Sequence, residues 1–363
     1  MIFGLFLTYD NVGRRFLYME LYHEIISKVA GRVIHSTDPK GGNMNIHKFD
    51  WVEGVGLYGI NRVWETFHES EYSDFLKQWI QQHKEEAFVL KTVNSTAPFM
   101  TILDFAGEQE LNLCKSCADS ILTDASRTST GGLEHTVTEE GAVFKEQMWA
   151  DTLFMVCIFL SKLGKYTGER KYTEEAIKQL RLHYQYLKDP ETGLFFHGYH
   201  CTNKNHLSSA RWGRANAWIT VSTVEMLEQL PENFEGREVI LQSLQEQVVA
   251  YERYQRTDGL FYTVLDRPDG YPETSATAGI AYGVFRGVKD GFLPEALLDM
   301  AKRAAEAVMQ QIDASGTVLG VSGGTPIMPT IEEYHKIPVQ PRLYGQALAL
   351  LMLCEMNQEG VVL

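Results

Sequence analysis

A glycine-containing turn recurs along this chain, and its spacing restricts the possible folds more than any other feature of the sequence. Four copies can be recognised, at residues 130–135, 189–197, 256–262 and, more weakly, 313–319. The glycines on which the copies align are Gly132, Gly193, Gly259 and Gly316. They lie 61, 66 and 57 residues apart. Because each interval accommodates two helices and their loops, the repeat predicts a series of helical hairpins.

The hydrophobic patterns between the turns predict two kinds of helix. Residues 172–187 are amphipathic, whereas residues 148–163 are more uniformly apolar. A helix that is apolar on all sides is buried, and one with a polar face lies at the surface. Alternating inner and outer helices describe an α/α toroid, and helical patterns at residues 57–67 and 98–114 leave room for about six hairpins. We therefore predict an all-α (α/α)6 barrel, a single domain over residues 1–363, with strands confined to short pieces beside the turns.

Charge and cysteine content argue against several classes of partner. The net charge of −14 disfavours binding to nucleic acid or to an anionic membrane surface. No apolar run is long enough to span a membrane. The five cysteines are scattered and odd in number, which argues against a disulfide framework. Residues 1–7 lack the basic start and the small-residue cleavage site of a signal peptide, so we expect a cytoplasmic protein.

Polar and aromatic residues recur where the apolar helices begin. The segments that follow the four turns in this way are 149–152, 211–214, 272–277 and 340–345. In a toroid, the loops that enter the inner helices converge on one end of the barrel, where a pocket can form. We therefore expect these segments to contribute to one binding site.

The segment from Arg211 to Trp218 opens the apolar run 217–230. Arginine is unfavourable at a helix N-terminus, because the helix dipole already places positive charge there. Arg211 and Arg214 at this position make sense if an anion docks at that end, and Trp212 and Trp218 offer flat faces for a sugar ring. The segment predicts a pocket for an acidic carbohydrate. The alternative is that the arginines pair with carboxylates and the tryptophans belong to the core.

Asp151 is the candidate catalytic residue. Between Glu146 and Lys162 it is the only ionisable acid or base apart from Cys157. Desolvation in such an apolar run would raise the pKa of its carboxyl toward the range useful for a general acid. The alternative is that Asp151 is a buried N-cap or the partner of a core arginine.

Two histidines occupy equivalent places after their turns. Equivalent positions in a toroid face the same rim, so His135 and His197 could both reach one ligand, although each alone is also compatible with an ordinary turn histidine. A cluster of His197, His200, Cys201 and His206 lacks the spacing of a closed zinc site. We predict no metal site.

Three segments of the chain, 149–155, 211–218 and 274–278, resemble glycoside hydrolase family 105, the unsaturated rhamnogalacturonyl hydrolases. That family is related to the unsaturated glucuronyl hydrolases of family 88. The resemblance extends from about Asp50 to Gln346. It implies an (α/α)6 barrel, in agreement with the repeat.

The resemblance also implies an unusual hydrolysis. The substrate would be a short acidic oligosaccharide with a C4=C5 double bond in its non-reducing uronic acid, such as unsaturated galacturonyl-rhamnose. The carboxyl of Asp151 is expected to protonate C4 and then to help water add at C5. The resulting hemiketal opens and expels the next sugar, with no metal or organic cofactor.

The resemblance assigns substrate contacts to seven residues: Asn94, His135, Trp149, His197, Trp212, Arg214 and Trp218. Trp149 and Trp212 would wall the unsaturated ring, and Arg214 would hold its carboxylate. Some members of the family have a second aspartate where this chain has Asn94, which can bond a hydroxyl but cannot act as a base. We do not expect Asp104, further along, to replace it.

Two other functions are compatible with these residues. A sugar epimerase of the α/α-toroid type would use His135 and His197 as acid and base, and it would stay active without Asp151. A non-catalytic protein on the same fold would bind an acidic oligosaccharide without consuming it.

Overall fold

Helices make up most of the regular structure in the computed structural model, which describes residues 11–35 and 44–363. The helices are α1 (Asn11–Ile34), α2 (Trp51–Phe67), α3 (Ser70–Gln82), α4 (Lys84–Val89), α5 (Phe99–Asp104), α6 (Glu108–Thr123), α7 (Ile158–Thr167), α8 (Arg170–Leu187), α9 (Gly213–Gln229), α10 (Arg237–Tyr254), α11 (Thr274–Lys289), α12 (Leu298–Gln310), α13 (Ile331–Tyr334) and α14 (Leu343–Glu359). The predicted all-α class is confirmed.

The helices form two concentric layers. The inner ring consists of α2, α5, α7, α9, α11 and α14, each packed against the next, and it closes where α14 packs on α2. The outer layer consists of α1, α3, α6, α8, α10 and α12. The inner helix α14 is buried from Leu343 to Asn357, whereas the outer helix α8 is buried along one face. This is the predicted (α/α)6 barrel.

Two of the predicted helical segments are interrupted. The segment 98–114 is divided between α5 and α6, because the chain turns at Ala106 and Gly107. The segment 148–163 begins as a strand, and its helix contains a π-helical turn at Leu153–Cys157 before α7. Such turns are frequent at functional sites, and this one directly follows Asp151 and Thr152.

The recurring turns differ from the predicted alignment at the first copy. The glycine with positive φ there is Gly131 (φ 86°), not Gly132, and it corresponds to Gly193, Gly259 and Gly316. A side chain at Gly259 would lie 2.3 Å from the carbonyl oxygen of Arg303, so both conformation and space require glycine.

Each turn is closed in the same way. The backbone N–H two residues after the glycine donates to a side-chain oxygen of a neighbouring helix. The pairs are Leu133 with Gln179 (2.9 Å), Phe195 with Asn216 (2.9 Å), Phe261 with Thr277 (3.0 Å) and Val318 with Gln346 (2.6 Å). The turn repeat is therefore built from hydrogen bonds between the turn and the helical layers.

The strands are short, as predicted. β1 (Gln147–Trp149) pairs antiparallel with β2 (Gly198–His200), and β3 (Phe261–Tyr262) pairs with β4 (Pro272–Glu273). Within the described ranges, no helix is long and apolar enough to cross a membrane. The expectation about residues 1–7 lies outside the described residues, and the single domain over 1–363 stays a prediction.

Candidate active site

A cavity of about 280 Å³ opens at the end of the barrel where the inner helices begin. Its walls come from the start of α2, the segments before α5 and α7, the first turn of α9 and the loop that precedes α13. The lining residues are Trp51, Asn94, His135, Val137, Glu139, Phe144, Trp149, Asp151, Met155, Trp212, Arg214, Gly324, Thr325 and Pro326. Six of the eight predicted site residues therefore line one cavity, although their sequence positions span more than a hundred residues.

The β1–β2 ladder brings Asp151 to His197. Trp149 is paired with Gly198, and the backbone N–H of Ala150 donates to the carbonyl of His197 at 2.9 Å. As a result, Oδ2 of Asp151 lies 3.3 Å from Nε2 of His197. Both atoms are buried, and neither makes a well-formed hydrogen bond within the described part of the chain. Such unsatisfied polar atoms are rare in folded proteins, and the carboxyl group of Asp151 lines the cavity, where a ligand or water can reach it.

The pKa of Asp151 differs from the expectation that desolvation would raise it. Burial is the largest single influence and raises the pKa of this carboxyl, but His197, His135 and Arg214 together lower it by more. The pKa of Asp151 therefore lies below its ordinary value, and the prediction of a raised pKa was wrong. Burial lowers the pKa of His197, so its ring is neutral at neutral pH.

The two histidines occupy equivalent places, each four residues after the positive-φ glycine of its turn. His135 is buried, its Nδ1 lies 3.1 Å from the hydroxyl of Thr152, and burial lowers its pKa to about 4. His197 is also buried, but it lies behind Asp151 and does not line the cavity. The prediction that both rings could reach one ligand stays a prediction for His135, which lines the cavity, whereas His197 is separated from the cavity by Asp151.

Aromatic rings form two walls on either side of Asp151. On one side, Trp149 stacks on His135 with centroids 4.3 Å apart and is flanked by Phe144 at 4.5 Å. On the other side, Trp212 packs against His197 at 4.3 Å, and its indole N–H has no partner among the described residues. Trp149 and Trp212 both line the cavity, so each offers an aromatic face to a ligand there.

Trp218 does not line the cavity. Its side chain is fully buried in α9 and packs on Phe154, with ring centroids 4.6 Å apart. Phe154 belongs to the π-helical turn that follows Asp151. Trp218 therefore contributes to the core beneath the site, which is the alternative considered for the tryptophans.

Arg214 holds one wall of the cavity. Its Nη2 donates to the carbonyl of Gly323 at 2.8 Å and to the hydroxyl of Thr325 at 3.4 Å, while Nη1 donates to Ser322. Nη1 also lies 3.6 Å from a carboxylate oxygen of the buried Glu273. Both terminal nitrogens are thus occupied, and only the buried Nε–H lacks a partner among the described residues.

Two aromatic rings enclose the guanidinium of Arg214. The guanidinium carbon lies 4.4 Å from the ring centroid of Trp212 and 4.7 Å from that of Tyr344. Tyr344 in turn stacks on Trp51, which lines the cavity. Cation–π contacts of this kind are strongest when the cation is desolvated, as it is here.

Arg211 has a different environment from Arg214. Its Nε donates to Asp189 at 2.6 Å and its Nη1 to Asp266 at 2.8 Å, outside the cavity. The alternative in which arginines pair with neighbouring carboxylates therefore holds for Arg211. The start of α9 therefore contributes Arg214, but not Arg211, to the cavity.

Asn94 lies in a 3₁₀ turn, Asn94–Thr96, and lines the cavity although it is nearly buried. Its side-chain amide makes no hydrogen bond with the described residues. Asp104 does not replace an acid at this position, because it lies outside the cavity and accepts from Asn61 and Lys162.

Several lining residues were not identified from the sequence. Gly324 and Thr325 belong to a glycine-rich segment that follows the fourth turn, and this composition could have pointed to them. Glu139 and Phe144 lie on an irregular stretch with no periodicity. Among the described residues, no group of three His, Cys, Asp or Glu side chains is arranged to hold a metal ion.

Comparison with known proteins gives consistent results. Residues 25–359 match Glycosyl Hydrolase Family 88. The chain is 32% identical over 312 residues to the unsaturated rhamnogalacturonyl hydrolase YesR of Bacillus subtilis, covering 85% of this chain and 89% of that one. It is 24% identical to an unsaturated 3S-rhamnoglycuronyl hydrolase of an Alteromonas species, covering 84% and 77%. A crystal structure from Salmonella enterica, described as a possible member of the GH105 family, superimposes with a TM-score of 0.89 at 32% identity and covers 94% of each chain.

Proposed function

Because the chain belongs to Glycosyl Hydrolase Family 88 and is a glycoside hydrolase, we propose that it cleaves short unsaturated uronyl oligosaccharides. The substrate is Δ4,5-unsaturated galacturonyl-rhamnose, in keeping with the name of the B. subtilis relative. Asp151 acts as general acid and then as general base. Family membership decides against the epimerase and the non-catalytic alternatives.

One observation carries this proposal: the carboxyl group of Asp151 lines a cavity together with Trp149 and Trp212, and it makes no well-formed hydrogen bond to the described residues. Trp149 and Trp212 offer aromatic faces on which a planar ring can stack, and the double bond makes the unsaturated uronate flatter than a saturated sugar. A ring held there has its C4=C5 edge next to a carboxyl group.

The chemistry needs a single carboxyl group. The protonated Asp151 transfers its proton to C4, and positive charge develops at C5 and the ring oxygen. The carboxylate that remains takes a proton from water as the water oxygen bonds to C5. The hemiketal at C5 then opens the ring, and C1 releases the second sugar as an alcohol. The net reaction consumes one water.

Binding of the substrate makes the protonation of Asp151 more favourable. The pKa of this carboxyl is low in the free protein, so the group is ionised at neutral pH. When the uronate carboxylate enters the same desolvated space, a second negative charge raises the pKa of Asp151. Arg214 attracts the substrate carboxylate by its buried charge and the free Nε–H, because its terminal nitrogens already bond the loop 322–325.

Other contacts follow from the lining. The amide of Asn94 and the ring of His135 reach sugar hydroxyls, and His197 orients Asp151. Trp218 acts only through the core beneath the π-helical turn. A cytoplasmic location is part of the proposal, and it is supported by the five cysteines, all of which are buried and unpaired.

The test follows the ultraviolet absorbance of the conjugated enol-ether carboxylate. Purified protein is added to unsaturated galacturonyl-rhamnose and, separately, to an unsaturated glucuronyl disaccharide. We expect the absorbance to fall with the wild-type protein, fastest on the galacturonyl substrate. Asp151→Asn should slow the reaction by about 10³-fold, because an amide can neither give nor take the proton.

Asp104→Asn is the matched control, since that carboxylate lies outside the cavity on Lys162. It should leave the rate within a few-fold of wild type once folding has been verified by circular dichroism. Constant absorbance with both substrates, or full activity of Asp151→Asn, would refute the proposal.

A further inference from the structure

A buried tyrosine contacts the catalytic pair from a distant part of the chain. Tyr334, at the end of the short helix α13, is fully buried, and its hydroxyl lies 2.8 Å from Nδ1 of His197. The opposite nitrogen of the same ring, Nε2, lies 3.3 Å from the carboxylate of Asp151. The hydroxyl of Ser208 lies 3.4 Å from the hydroxyl of Tyr334. Four side chains thus form one line that ends at Asp151.

From this geometry we infer that Tyr334 is a positioning residue for the reaction: in the free protein its hydroxyl donates to Nδ1 of His197, which favours the Nε2–H tautomer and with it the ionised form of Asp151. The inference rests on the proposed function for its kinetic consequence. It does not depend on that function for the state of the histidine ring. Nothing in the sequence motifs distinguishes Tyr334, which lies in an irregular segment 137 residues from His197.

In the resting state the line has one consistent arrangement of hydrogens. Burial keeps Tyr334 protonated by raising its pKa far above neutrality, so its hydroxyl can donate to Nδ1 of His197. Nδ1 is then the acceptor of a neutral ring, and the ring hydrogen resides on Nε2, which lies 3.3 Å from the carboxylate of Asp151. An ionised Asp151 is stabilised by that N–H.

The same line also accommodates a protonated Asp151. If the carboxyl carries the proton, Nε2 becomes the acceptor and the ring hydrogen moves to Nδ1. A tyrosine hydroxyl is both donor and acceptor, so Tyr334 can accept from Nδ1 and direct its own hydrogen to Ser208. Both states required of an acid that becomes a base are therefore satisfied without moving a side chain.

Few charged groups surround Asp151 and His197. Among the described residues, the titratable and charged groups that act on either side chain, besides Tyr334, are His135 and Arg214. His135 is neutral because burial lowers its pKa to about 4. The protonation of Asp151 is thus governed by its burial, by the contact with His197 and by the charge of the substrate.

The experiment compares wild type with Tyr334→Phe, which keeps the ring and removes the hydroxyl. Long-range ¹H–¹⁵N NMR on histidine-labelled protein reports which ring nitrogen carries hydrogen, and His197→Gln identifies the signal. We expect the Nε2–H tautomer in wild type near neutral pH and a mixture of tautomers in Tyr334→Phe. The measurement on wild type alone is decisive, because an Nδ1–H tautomer there overturns the inference.

Kinetics give the second measurement. Tyr334→Phe should lower kcat about tenfold with KM changed less than threefold, since the ring contacts remain. The pH at which kcat falls should rise, because Asp151 loses the oriented N–H that stabilises its ionised form. Tyr184→Phe is the matched control: it removes another buried hydroxyl, bonded to Thr223 at 2.7 Å outside the cavity, and should change neither measurement.

The two experiments distinguish a failure of the proposed function from a failure of the role of Tyr334. If wild type leaves the ultraviolet absorbance unchanged, the proposed function fails, and the NMR result still decides the role of Tyr334. If wild type consumes the substrate and Tyr334→Phe keeps both its tautomer and its pH profile, only the role of Tyr334 is refuted.

Discussion

The guanidinium of Arg214 donates to the carbonyl oxygen of Gly323 across 109 residues of sequence, with Nη2 and the oxygen 2.8 Å apart. This bond joins the first turn of α9 to the loop that supplies Gly324 and Thr325 to the cavity. The residue that the sequence marks as a ligand for an anion thus also shapes the wall against which the ligand packs. Its two roles can be separated by substitution.

Arg214→Lys should weaken both substrate binding and the fold, and the two effects can be measured separately. Lysine keeps the positive charge beside Glu273, but its ammonium cannot bond the several acceptors of the loop that the planar fork reaches. We expect KM to rise at least about tenfold and the free energy of unfolding to fall by about 2 kcal/mol. Steady-state kinetics and urea denaturation measure the two effects. In contrast, Arg211→Lys, whose partners Asp189 and Asp266 lie outside the cavity, should lower stability and leave KM unchanged. Equal KM values in the two variants would contradict this assignment.

Asn216, in the same motif, is predicted to act on stability alone. Its side chain accepts from the backbone N–H of Phe195 and donates to the carbonyls of Phe195 and Trp212. Asn216→Ala leaves these buried groups unsatisfied, which should lower the free energy of unfolding by about 3 kcal/mol. KM should stay within threefold of wild type at a temperature where the variant is folded. Gln346→Ala, which opens the equivalent bond to Val318, should have a similar effect on denaturant midpoints.

The pH dependence should differ between kcat and kcat/KM. Activity requires protonated Asp151, so it is lost as pH rises through the pKa of this carboxyl. That pKa is lowered in the free protein, which kcat/KM reports, and it rises in the complex, which kcat reports. The descending limb of kcat should therefore lie about one pH unit or more above that of kcat/KM. In profiles measured from pH 4 to 9, kcat/KM should therefore fall from the lowest pH onward, whereas kcat should stay level before it falls. Two profiles of the same shape would show that the substrate charge does not act on Asp151.

Glu53 should make the fold less stable as pH rises. It is 5% exposed in the first half of α2, and burial raises the pKa of its carboxyl to about 7. A raised carboxyl pKa means that the folded state favours the protonated form, so the stabilisation is complete below the ordinary pKa and is lost as pH rises through about 7. Glu53→Gln should therefore raise the free energy of unfolding by up to about 3 kcal/mol at pH 8 and leave it unchanged at pH 4. Thermal melts at both values measure this, with the exposed Glu71→Gln as control. A variant that is no more stable at pH 8 would contradict it.

The turn repeat predicted the architecture correctly but not the exact position of its first turn. The period and the alternation of helix types predict the toroid, because a helix that must be buried on all sides has no other place than an inner ring. The predicted alignment of the first turn was wrong by one residue, because it used Gly132 where the structure has the positive φ at Gly131. In Gly131-Gly132 either residue can adopt positive φ, and only the hydrogen bond from Leu133 to Gln179 on α8 selects Gly131.

The sequence by itself determined the barrel, the end at which the inner helices begin, and most of the residues that gather there. These follow from period, polarity and the equivalence of repeated positions, all of which are local properties of the chain. The tertiary structure alone decided that Trp212 lines the cavity while Trp218 supports it, and that Tyr334 reaches His197. It also reversed the expected shift in the pKa of Asp151. Burial can be estimated from neighbouring residues, but the charges and hydrogen bonds that oppose burial come from segments whose approach depends on packing across the whole ring.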